Sequence, residues 1–128
     1  MSVMRTASTR RVSDHFEPEA MLDPQAQRRL RGQMERIDYT AFASNREVIG
    51  HVLGQADGAM FQRLAVAAAQ ARARWVAQAL AMTDGPQPPD PVAVAKLAQL
   101  RAGFEELTAA YEGLRRMVER GYLGFGEA

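Results

Sequence analysis

Between Asp90 and Gly121 the residues Leu97, Leu100, Phe104, Leu107, Tyr111, Leu114 and Val118 recur at steps of 3, 4, 3, 4, 3 and 4. This is a heptad seam with every a and d position apolar, the pattern of a long helix that must bury one stripe. The segment carries its own punctuation. Asp90 can cap the first free N–H groups, Pro91 has no N–H to lose at the first helical position, and Gly121 can adopt the left-handed conformation that closes the last turn. A helix of about 30 residues, roughly 45 Å long, follows. Its seam needs a partner from the same chain or from a second copy.

The chain offers that partner upstream. Ile49, Leu53, Ala56, Met60, Leu64, Ala67, Ala71, Trp75, Gln78 and Met82 repeat steps of 4, 3 and 4, and only Gln78 among them is polar. Three such steps give about 3.67 residues per turn, a nearly straight helix. Ser44-Asn45-Arg46-Glu47 reads as a capping box, so this second helix is expected over Asn45–Thr83, with one bent helix from Pro24 as the alternative. A further stripe, Ala65, Ala69, Ala73, Ala77 and Ala81, could face a second neighbour. Asp84-Gly85-Pro86-Gln87-Pro88-Pro89-Asp90 breaks the pattern, with Gly85 as the expected cap, and a linker this short returns the chain antiparallel. Gly50, Gly54 and Gly58 each cost about 1 kcal/mol inside a helix. They fit either a groove for close backbone approach or a kink. His51, among them, reads as a surface or partly packed residue. On the heptad helix, Glu112 and Arg116 form the better ordered i, i+4 pair, Arg101 and Glu105 the weaker.

Asp23-Pro24 repeats the Asp-Pro start. Ala26, Leu30, Met34, Ile37 and Ala41 then follow at steps of 4, 4, 3 and 4, while Arg28, Arg29, Arg31 and Arg36 load other faces. Neither aromatics nor a docking motif accompany these arginines, so they read as a solvated face. Residues 1–22 show no sustained period and are expected to be a flexible arm. Its patch Asp14-His15-Phe16-Glu17 lacks the second ligand cluster a metal shell needs. Residues 122–128, with Tyr122, Leu123 and Phe125, can either pack over a bundle end or stay a flexible apolar tail able to touch a partner; terminal position favours the flexible tail.

Bulk properties narrow the function. Net charge is +1, which argues against a nucleic-acid partner. Cysteine is absent, removing disulfides and thiolate metal sites. No apolar run reaches the length of a membrane span, and the N-terminus lacks a signal-peptide core. The expectation is a soluble, cytoplasmic protein. Much of the apolar 47% is alanine, which buries little area per residue, so a homo-oligomer is expected. No nucleophile, base or metal cluster stands out, and no catalytic, cofactor or metal residue is assigned.

Two resemblances add to this. Leu30-Arg31-x-x-Met34-x-x-Ile37-Asp38 looks like the start of the all-helical chorismate mutases, whose first helix carries an Arg for a substrate carboxylate. The only lysine, Lys96, lies in the last helix, and Arg46 is displaced from that family's further basic positions. More of the chain resembles the phasins of polyhydroxyalkanoate granules. Ser44-Asn45-Arg46-Glu47-Val48-Ile49 opens a long Ala/Gln-rich helix, a Pro-containing break follows, and Asp90-Pro91-Val92 leads to Leu97-Ala98-Gln99-Leu100-Arg101-Ala102-Gly103-Phe104-Glu105-Glu106-Leu107. The glycine triplet and the arginine-rich first helix depart from that family's plainer pattern. The resemblance implies a non-catalytic coat protein that self-associates and lays an apolar stripe on a hydrophobic surface.

The expected fold is therefore all-α: an antiparallel long-helix hairpin with a shorter N-terminal helix, a coiled-coil-like bundle over residues 23–121. Self-association or surface contact is assigned to Ile49, Leu53, Met60, Leu64 and Trp75, with Phe61 beside them, and to the seam Leu97 through Val118. These same residues could instead form the bundle core. The alternative function is an oligomeric adaptor, chaperone or regulator that binds a protein.

Overall fold

The structure, a computed structural model, describes residues 23–126. The expected arm and its acidic patch around His15 lie outside the described residues. Among the described residues there are three helices and one short strand pair: α1 (Pro24–Leu53), β1 (Ala56–Asp57), α2 (Gly58–Met82), α3 (Pro91–Glu119) and β2 (Phe125–Gly126). The chain divides into two units, with the boundary between Phe42 and Ala43 inside α1. The buried cluster around Leu114 belongs wholly to the second unit.

In the first unit, the Asp-Pro start works as read. The Asp23 carboxylate accepts the Ala26 N–H at 2.6 Å, and the Asp23 carbonyl accepts the Gln27 N–H. Thr40 satisfies its hydroxyl on the Arg36 carbonyl, 2.9 Å away, within the helix.

Ser44 does not start a helix, which corrects the capping-box reading. Neither Gly nor Pro falls between Gly32 and Gly50, so nothing interrupts the intrahelical bonds at Ser44. The break falls at the glycines instead. Gly54 sits at φ +77° and its N–H bonds the Gly50 carbonyl at 2.7 Å, an αL closure of α1. Asp57 caps α2, its carboxylate accepting the Met60 N–H at 3.0 Å. A Cβ added at Gly50, Gly54 or Gly58 would meet nothing within 4 Å, so the triplet lines no close-approach groove. It is a full stop between two helices.

The linker side also shifts. Thr83, not Gly85, closes α2, its hydroxyl donating to the Ala79 carbonyl at 2.8 Å. Asp90 and Pro91 open α3 as expected, with the Ala93 N–H on the Asp90 carboxylate at 2.8 Å. Gly121 at φ +80° ends α3 in a Schellman arrangement: its own N–H bonds the Val118 carbonyl, and the Tyr122 N–H bonds the Met117 carbonyl.

The expected free tail folds back. β2 pairs in parallel with β1, in register Ala56 to Phe125 and Asp57 to Gly126. The fully buried Ala56 gives its N–H to the Gly124 carbonyl at 2.8 Å, so a buried donor is satisfied. A Cβ at Gly126 would meet the far end of the exposed Gln55 side chain, which would have to swing aside. Leu123 is only 3% exposed. Burying one leucine stabilises by about 1.5–3 kcal/mol, enough to hold a short segment that sequence position alone would leave loose.

Candidate functional site

Within the second unit, α2 packs on α3. Met60, Leu64, Ala67, Ala71, Trp75, Gln78 and Met82 of α2 are all buried or half-buried, and so is every heptad position from Leu97 to Val118 of α3. Leu114, Ala56 and Leu123 form a buried cluster, with Ile49, Met60, Phe61, Leu64, Met117 and Val118 packed against it. Ring contacts tie the helices together. Phe61 meets Tyr111 edge-on with centroids 5.5 Å apart, and Trp75 stacks on Phe104 at 5.8 Å. Arg72 lies over Phe104 and Arg101 over Trp75, with Arg101 held at 3.0 Å by Glu105. The weaker ordered pair therefore forms, positioned by the stack beside it. Phe61 also touches Phe125, centroids 6.0 Å apart.

The seam residues assigned to surface contact are thus largely spent on one another. Leu53 keeps a partly open side chain. Of the tail residues, Leu123 is buried and Tyr122 half-buried, leaving Phe125 as the exposed one.

The open apolar surface lies elsewhere. On α2, Ala65, Ala69, Ala73, Val76 and Leu80 recur at steps of 4, 4, 3 and 4, and all five are exposed, Leu80 at 67%. They share the face opposite the seam, and no charged residue falls in this line. α2 contains no Asp or Glu, whereas Arg63, Arg72 and Arg74 lie at its flanks and edges. The alanine stripe marks the first part of this face, and Val76 and Leu80 continue it. On α1, Leu30, Met34 and Ile37 are also exposed, Ile37 at 58%, and that helix has no buried residue.

One groove stands out in the second unit. Leu53, Met60, Arg63, Leu64, Ala110, Gly113, Leu114 and Met117 line an open cleft of about 440 Å³. Its walls are apolar with Arg63 at hand, and two methionines make them adaptable. Arg31, which carries the chorismate-mutase likeness, is exposed, and so is Lys96, which departs from that pattern. Among the described residues no group of three or more metal-ligating side chains comes together, and no helix is long and apolar enough to cross a membrane. No protein-family model, no curated protein and no solved structure matches the chain.

Proposed function

We propose that this is a non-catalytic, cytoplasmic helical protein that self-associates and coats a hydrophobic surface of the polyhydroxyalkanoate type, as the phasin resemblance implies. The observation that carries the reading is the outer face of α2. Ala65, Ala69, Ala73, Val76 and Leu80 make an exposed, uncharged apolar strip on a helix whose other side is already packed on α3. Arginines without carboxylates on that helix suit an apolar surface that carries anionic groups at its boundary. The contact residues are therefore proposed on this face and not on the seam.

The support beneath it is an antiparallel α2–α3 hairpin with coiled-coil-like packing. Ring pairing favours that arrangement: Phe61, early in α2, meets Tyr111 late in α3, whereas Trp75, later in α2, meets Phe104 earlier in α3. Flotation with polyester or lipid droplets tests the function. Retention of the full chain on the droplets is expected; an intact helical protein left wholly in the aqueous phase removes the reading.

The groove beside Arg63 favours a second reading, a helical adaptor that receives an apolar side chain from a protein partner. Glu substitution at Gly113, where an added Cβ meets nothing within 4 Å, would then abolish partner binding and leave droplet retention unchanged.

A further inference from the structure

From the exposed stripe on the first half of α1 we infer that a second copy of this chain docks there antiparallel, α1 against α1. An amphipathic helix this polar gains little from propensity alone; in proteins most helical stability comes from burying the apolar face. Yet Leu30, Met34 and Ile37 stand exposed, and α1 buries none of its residues.

The stripe is self-complementary in one orientation. Taking Met34 as a heptad a position and Ile37 as d, an antiparallel copy sets a against d. Met34 then lies opposite the second copy's Ile37, and Leu30 opposite the second copy's Ala41. A large side chain meets a small one at each end, and two mid-sized ones meet at the centre. The two e positions beside this seam are Arg31 and Asp38, and the same register sets Arg31 against the second copy's Asp38, twice by symmetry. A parallel copy would set Asp38 against Gln33 and Arg31 against Ala26, leaving both charges unmatched. The outer face of α2 is a poorer match, because that helix has no carboxylate for Arg31.

This inference names the surface for the self-association proposed above. A chain that coats droplets as a monomer overturns it and leaves the surface reading standing. The chain has no cysteine, so single cysteines report cleanly. Full-length Leu30→Cys and Ala41→Cys chains, mixed and oxidised, are expected to give the mixed disulfide dimer, while neither variant alone links to itself. Sedimentation equilibrium supplies the second readout. Arg31→Asp and Asp38→Arg should each weaken dimerisation about tenfold, and the double variant should return it to within about twofold of wild type. Self-linking by each cysteine variant alone, a monomeric wild type, or a dimer indifferent to all three charge variants overturns the proposal.

Discussion

Arg46 Nη1 donates to the carbonyl oxygen of Gly121 at 2.9 Å, joining two residues 75 positions apart. It ties the last part of α1 to the point where α3 ends. The bond is exposed, so its net worth is modest. Arg46→Ala should lower stability by about 0.5–1 kcal/mol, read as a lower urea midpoint with an unchanged slope.

The glycine triplet predicts opposite signs from neighbouring substitutions. Gly54→Ala forces a Cβ into the left-handed region and should cost about 1–2 kcal/mol. Gly50 is helical with open space around it, so Gly50→Ala should stabilise by about 0.5–1 kcal/mol. Thermal melts of the two variants should move in opposite directions; shifts of the same sign would mean that the break is not at Gly54.

Caps separate the two candidate starts of the central helix. Asp57→Ala should cost about 1 kcal/mol, because the Met60 N–H loses its acceptor. Ser44→Ala, mid-helix, should be neutral or slightly stabilising, since alanine has the better helix propensity.

Leu123→Ala should cost about 2–4 kcal/mol by opening the cluster around Leu114. Phe125→Ala, at an exposed ring, should cost less. Truncation after Gly121 also removes the Gly124 carbonyl that Ala56 needs. It is therefore a stability variant, and loss of partner binding in it would say nothing of a contact role for the tail.

What could be read from the residues was whatever has a local cause. The Asp23-Pro24 and Asp90-Pro91 starts, the Gly121 stop and the seams from Met60 to Met82 and Leu97 to Val118 follow from capping chemistry and period alone. The stop at Gly54 was harder. Ile49, Leu53 and Ala56 keep the helical step across it, so period argued for continuity while backbone freedom argued for a break. A capping box at Ser44 has the same letters inside a helix as at its start. The return of Leu123 depends on a distant partner, Ala56, and no local pattern announces it. The candidate surface was half visible: its alanines were evident, but Val76 and Leu80 gained meaning only once the seam was occupied.

Flotation of full-length Val76→Glu/Leu80→Glu beside wild type tests the central claim most directly. Both positions are exposed, so the double variant should fold with the helical content and melting behaviour of wild type. Two charges within the apolar strip should abolish its retention on polyester or lipid droplets while wild type floats. A folded double variant that floats as wild type does would contradict the assignment of the contact surface to α2.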